Sequence, residues 1–178
     1  MERIFRAARQ ADIDAVEQGY TELLTYEAEH GAWTAWKLGV YPTRATAQHS
    51  RDNGSLYLLE EDGQAAASVI LNRQQPEEYR EISWKFPAGP EQVMVIHTLC
   101  VPPSRAGKGL GKEMVRRCME EARRQGCTVL RLDTGGQNKP AVGLYTGLGF
   151  TIAGTTTILL DGQIPHAGHV FLERSLTD

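Results

Sequence analysis

Cysteine is scarce in this sequence: Cys100, Cys118 and Cys127 are the only three, at irregular spacing. That excludes a disulfide framework or a cysteine-based zinc site, and reduced thiols in a cytoplasmic protein are the expectation. Long apolar runs are missing as well. The N-terminal stretch MERIFRAARQADID carries charge where a signal sequence needs an apolar core, so neither secretion nor a membrane partner is expected. No charge dominates: 19 Lys and Arg stand against 22 Asp and Glu, a formal net charge of -3 that offers no overall basic surface to nucleic acid. Arg116, Arg117, Arg123 and Arg124 form a local basic patch that reads as a solvated helix face. With 178 residues, 41% of them hydrophobic, and no linker or internal repeat, the chain is expected to be one globular domain, residues 1–178.

What is present alternates between periods. RIFRAA reads as a strand, and the stretch after it places Ile13, Val16, Tyr20 and Leu23 or Leu24 at helical spacing. A short second helix is expected near residues 43–51. Two apolar runs joined by Asp62-Gly63 predict a hairpin, because that dipeptide suits the positive φ angles of a tight turn. EQVMVIHTLCV is apolar on both alternating faces, as in a central strand, and two prolines end it. From Gly111 to Gln125 the residues Met114, Val115, Cys118, Met119 and Ala122 share one helical stripe, with Glu113 to Arg117 and Glu120 to Arg124 as i,i+4 pairs and Gly126 at the end. TVLRLD predicts a strand, residues 140–148 a short helix, and the C-terminal stretch a hairpin around Asp161-Gly162. The order β-α-α-β-β-β-α-β-α-β-β predicts a mixed α/β fold with helices on both faces of a sheet.

SRAGKGLGKEM, residues 104–114, puts Gly107, Gly109 and Gly111 at every second position at the mouth of the long helix. The first amides of a helix are unpaired and its dipole favours an anion, so bare backbone there suits a phosphate; the ordinary alternative is a flexible turn. A nucleoside-triphosphate loop fails, because Glu113 follows Gly111-Lys112 and Ala106 stands five places before Gly111. A dinucleotide fingerprint lacks its third glycine: Lys112 or Met114 occupies the position, and five residues separate strand from glycines.

VPPSRAGKGLGKEM resembles motif A of the GNAT superfamily of N-acetyltransferases, [QR]-x-x-G-x-G/A at a helix start. Gly109 and Gly111 fit the two later positions, whereas Ala106 takes the Gln/Arg place and Arg105 lies one residue early. NKPAVGLYTGLGF is similar to the family's motif B, N-x-x-A-x-x-x-Y-x-x-x-G-F, with Asn138, Ala141, Tyr145, Gly149 and Phe150 in register. The resemblance implies a central mixed, mostly antiparallel sheet. It also implies acetyl-coenzyme A as co-substrate, without a metal. Arg105, Ala106, Gly107, Lys108, Gly109, Leu110, Gly111 and Lys112 would cradle its pyrophosphate, Asn138 would hold the pantetheine arm, and Tyr145 would face the thioester sulfur.

The implied reaction is direct attack of an amine on the acetyl carbonyl in a ternary complex. An aliphatic ammonium must first lose a proton, the carbonyl oxygen gathers negative charge, and the thiolate must be protonated. A main-chain N–H near Leu99, Cys100 and Val101 is the expected oxyanion donor and Tyr145 the expected acid. His97 interrupts an apolar strand and is the expected base, with Glu81 or water as alternatives and a core histidine as the ordinary reading. Trp33, Trp36, Tyr41 and Trp84 either wall an acceptor pocket or pack in the core. His166 and His169 face opposite sides of a regular strand, which disfavours a metal pair. A small-molecule amine or a peptide is the expected acceptor, and a homodimer is left open. Two other functions stay open: a non-catalytic acyl-coenzyme A sensor and, more distantly, a nicotinamide-binding oxidoreductase.

Overall fold

The computed structural model describes residues 1–160 and 164–178. Seven strands form one sheet in the order β1-β2-β3-β4-β5-β7-β6. They are β1 (Arg3–Ala7), β2 (Leu56–Glu61), β3 (Gln64–Asn72), β4 (Val93–Cys100), β5 (Val129–Gly135), β6 (Thr151–Leu160) and β7 (Ile164–Ser175). Four helices accompany them: α1 (Ile13–His30), α2 (Arg44–Asp52), α3 (Leu110–Arg124) and α4 (Lys139–Gly147). The element order is the one expected, and the sheet is mostly antiparallel, with β4 and β5 as a parallel pair. The expected turn at Asp161-Gly162 lies outside the described residues. No described helix is long and apolar enough to cross a membrane.

Contacts divide the chain into two compact units. The first comprises Met1–Ala32, Trp36–Leu71 and Thr98–Arg117. Its core is the apolar stripe of α1, with Ile13, Val16 and Tyr20 packed on Leu56, Leu58, Ile70 and Cys100. Asp62 (φ 51) and Gly63 (φ 83) make the predicted turn between β2 and β3, which pair antiparallel. Thr43 precedes α2 and donates its amide to the Thr46 hydroxyl at 3.0 Å.

The second unit comprises Trp33–Ala35, Asn72–His97 and Cys118–Asp178. Tyr79, Ile82, Val93, Val95 and Phe171 form its core, with Trp84 packed against them. Trp84 also lies 4.3 Å from the Arg131 guanidinium and donates its indole N–H to the Tyr79 carbonyl. Asn138 caps α4, its side-chain oxygen accepting the Ala141 amide at 3.3 Å.

Two details depart from the sequence reading. Arg124 pairs with Glu121, one turn position nearer than Glu120, whereas Glu113 and Arg117 pair as expected. On β7, Thr156↔His169 is followed by Ile158↔His166, so three residues of β7 oppose two of β6. That bulge holds Gly168 at φ 74 and breaks the two-residue alternation. His166 and His169 therefore meet, their Nδ1 atoms 2.8 Å apart, instead of facing opposite sides.

Candidate active site

The glycine loop is built in the first unit. After Pro102 and Pro103 the chain makes a 3-10 turn, and Glu22 of α1 accepts the Ser104 amide and hydroxyl at 2.6 and 3.0 Å. Gly107 (φ 80) and Gly109 (φ 76) then adopt left-handed backbone that an L side chain strains to reach. An added Cβ at either glycine meets nothing within 4 Å, so torsion and not crowding explains them. Residues 106–109 are exposed. The bond from the Glu113 amide to the Gly109 carbonyl opens α3, which leaves the preceding amides as the unpaired donors of a helix start.

Arg3, Glu61 and Gln64, which the sequence reading passed over, help to fix this loop. Arg3 donates to the Lys108 carbonyl at 2.9 Å and pairs with Glu113 and Glu61, each at 3.0 Å. Arg105 donates to Glu61 at 3.4 Å and to Gln64 at 3.0 Å. Glu61 is 4% exposed, so one buried carboxylate joins the loop's Arg105 to Arg3 of β1. Arg105 lies one residue before the motif's Gln/Arg place, which Ala106 occupies, and its guanidinium is engaged by Glu61 and Gln64. The signal was weak: Glu60-Glu61 at a strand end reads as solvated charge until the fold brings two arginines to it.

At the end of β4, Thr98 takes φ 47, and its hydroxyl is hydrogen-bonded to the Tyr41 phenol. Cys100 beyond it is 1% exposed, with burial pushing its thiol up to about 12, so it stays protonated. Leu99 and Val101 are half-buried. Trp36 meets Tyr41 edge-on at 6.4 Å, whereas Trp33 is 50% exposed.

The second unit holds the other expected residues. Tyr145 is 6% exposed and packs edge-on against Phe150. Burial first, then Cys118 and Asp133, pushes its phenol upward, so it carries its proton at neutral pH. Asn138 spends its side-chain oxygen as the helix cap, leaving its amide hydrogens as what it can offer a ligand. The Nε2 atom of His97 lies 2.8 Å from the Asn72 side-chain oxygen, which also accepts the Gln74 amide. Burial pushes this imidazole down to about 4. Such a histidine ties β4 to the end of β3 and stays neutral at physiological pH. Glu81 is exposed and accepts the Thr156 hydroxyl.

A chain of polar groups that sequence reasoning missed runs through the same unit. The Tyr79 hydroxyl donates to Asp133 Oδ1 at 2.7 Å, His169 Nε2 lies 3.5 Å from Asp133 Oδ2, and His166 contacts His169. Burial pushes Asp133 up to about 6 and His169 down to about 4. Among the described residues, no group of three or more His, Cys, Asp and Glu side chains is placed to hold a metal ion.

The profile of the acetyltransferase (GNAT) family matches residues 13–150, and the chain belongs to that family. Its sequence is 35% identical over 77 residues to an L-methionine sulfoximine/L-methionine sulfone acetyltransferase of Salmonella typhimurium, covering 43% of this chain and 40% of that protein. The chain thus spans less than half the length of the curated relatives it matches. A GNAT-family acetyltransferase from Streptococcus agalactiae superposes with a TM-score of 0.81 at 20% identity, covering 97% of this chain and 95% of that one. The yncA protein of Salmonella typhimurium, solved with its cofactor acetyl-CoA, superposes with a TM-score of 0.68 at 22% identity, covering 100% and 96%. These likenesses are of fold, and they agree with the mixed, mostly antiparallel sheet that the family resemblance implied.

Proposed function

We propose that this chain transfers an acetyl group from acetyl-coenzyme A to a primary amine, by direct attack within a ternary complex. The observation that carries the reading is the stretch of residues 105–112, exposed at 106–109, where left-handed Gly107 and Gly109 precede the unpaired amides of α3. Such a loop suits a pyrophosphate, because the amides neutralise negative charge and no Cβ stands in the way. Membership of the acetyltransferase family supports acetyl-coenzyme A as the coenzyme, and one structural neighbour contains it.

In this reading the residues act as follows. The amides of 107–112 bind the phosphates, and Asn138 offers its amide hydrogens to the pantetheine arm. A main-chain N–H near Leu99 to Val101 stabilises the oxyanion. Tyr145, kept protonated by its burial, protonates the departing thiolate. His97 is a poorer candidate base in this reading, because its ring contacts Asn72 and burial makes it weakly basic. The acceptor is a small-molecule or peptide amine, and the sulfone relative puts amino-acid amines first on the panel.

Thermal unfolding with coenzyme A, acetyl-coenzyme A or a nicotinamide dinucleotide tests the binding. At about 100 times its Kd a ligand stabilises the native state by about 2.7 kcal/mol, a shift of several degrees. Only the coenzyme A compounds should produce it, and Gly109→Val, strained at φ 76 and bulky beside the phosphates, should weaken their binding about tenfold or more. Stabilisation by the dinucleotide alone overturns the reading. Thiol release across an amine panel then tests turnover, and a stabilised protein that acetylates no amine is the sensor instead.

A further inference from the structure

Asp133 is a carboxylate in an unusual position. It lies on β5 five residues before Asn138, on the core side of the second unit, with its side chain 18% exposed. The groups that face it are Tyr79 and Glu78 of the 3-10 turn Glu77–Glu81, His169 of β7 and Tyr145 of α4. Tyr79 is neutral, Glu78 repels it, and His169 is held neutral by burial and by His166. Among the described residues no lysine or arginine comes within ion-pair distance of it. Buried charges are ordinarily paired, and a carboxylate accepts about four hydrogen bonds, of which the Tyr79 hydroxyl uses one. The site lacks a cation that also donates N–H.

The geometry points to Asp133 as the docking point for the acceptor's ammonium group and as the acceptor of its proton, with His169 and His166 carrying that proton to solvent. The inference rests on the acetyl-transfer reading for its chemistry, and it goes beyond that reading by placing the acceptor and its base. Asp133 Oδ2 takes one proton from the ammonium, leaving a neutral amine. His169 Nε2, on the same oxygen, relays it, and the Nδ1 to Nδ1 contact passes it to His166, which is half-buried and reaches the surface. The nitrogen then forms its bond to the acetyl carbon, the carbon–sulfur bond breaks, and the thiolate takes the Tyr145 proton. The second proton lost by the new amide nitrogen restores the phenol. One proton leaves to solvent and one ends on the thiol, which balances the conversion of an ammonium and a thioester to an amide and a thiol.

The bulge in β7 is what builds this chain. Without the extra residue at Gly168, His166 would face away from His169 and the relay would end in the core.

The test uses the full chain, isotope-labelled at histidine, and follows the imidazole resonances during titration with ethylammonium chloride at about pH 7.5, where Asp133 is ionised. Tetramethylammonium chloride, with the same charge and no N–H, is the control. Saturable shifts at His166 and His169 are expected with ethylammonium only, and Asp133→Asn, which keeps an oxygen for Tyr79, should abolish them. Equal shifts in both proteins, or none in the wild type, overturn the proposal. Should Asp133→Asn fail to fold, the wild type decides: its affinity should fall about tenfold between pH 7 and pH 5 as the carboxyl protonates, and a pH-independent affinity overturns the proposal. Kinetics separate this from the parent reading. With acetyl-coenzyme A, Asp133→Asn should lose about 10² or more in kcat/KM for ethylamine and far less for 2,2,2-trifluoroethylamine, which is already neutral near pH 7.5. Coenzyme binding and turnover without the imidazole shifts sink this proposal alone. Imidazole shifts without coenzyme binding support the cation site and sink the acetyl-transfer reading.

Discussion

Glu61 and Asp133 are both shielded carboxylates near the ends of their strands, and the chain treats them in opposite ways. Glu61, 4% exposed, lies against the guanidinium groups of Arg3 and Arg105. Asp133, 18% exposed, has a phenol and a neutral imidazole for company. The first charge is compensated from within, and its work is structural: it fixes the glycine loop through Arg105 and Arg3. The second has no lysine or arginine partner among the described residues, and that is the arrangement expected where a ligand supplies the charge. A carboxylate's partners thus separate a scaffold from a site more sharply than its burial does.

The largest effect is expected from removing the phenol whose proton Asp133 helps to hold. Tyr145→Phe keeps the ring against Phe150 and deletes one proton. Turnover should fall by about 10² or more while coenzyme A still raises the melting temperature as in the wild type. Steady-state kinetics beside thermal unfolding check it, and a variant limited by chemistry that runs at wild-type speed removes Tyr145 from the mechanism.

Much of the compensated region was legible in the sequence and little of the other. The glycines announced themselves because positive φ is nearly a glycine property, and Gly107 and Gly109 do adopt it. The hairpin at Asp62-Gly63 was legible for the same local reason. Asn138 and Tyr145 were legible as a spaced motif on a short helix. Nothing local marks Asp133, whose partners Tyr79 on a 3-10 turn and His169 on β7 are distant in sequence and meet it only in the fold. His166 and His169 were misplaced because alternation was assumed where a bulge intervenes. His97 drew attention because an imidazole in an apolar strand demands a partner, and Asn72, far off in sequence, is one that no local pattern announces.

A smaller effect should follow from uncoupling the compensated side. Glu61→Leu leaves Arg3 and Arg105, 18% and 23% exposed, to be solvated. The cost should therefore fall below the range for breaking a fully buried pair, at about 2 kcal/mol in urea unfolding. Because the loop loses its tie to β1, the KM for acetyl-coenzyme A should rise severalfold with kcat nearly unchanged. A stable variant with a wild-type KM would show that the network supports the fold and not the loop.

The smallest effect, and the most discriminating, is the dependence of stability on pH. Asp133 is raised from 3.8 to about 6, so its contribution is fully present below 3.8 and is lost as the pH rises through 6. His97 is depressed from 6.5 to about 4, so its contribution is present above 6.5 and is lost as the pH falls through 4. His169 has the same sign as His97. Between pH 4 and pH 6.5 the carboxyl and the two imidazoles therefore oppose one another and partly cancel, each contribution being about 3 kcal/mol at most. Asp133→Asn should steepen the rise of stability with pH across that window, and His97→Gln should flatten it. Rates divide the two residues further. With His97 neutral above about pH 5, an ascending limb near pH 6 belongs to Asp133 and should persist in His97→Gln. Unfolding free energies and pH–rate curves of the two variants beside the wild type decide it, and a limb that vanishes with His97→Gln returns the base to His97.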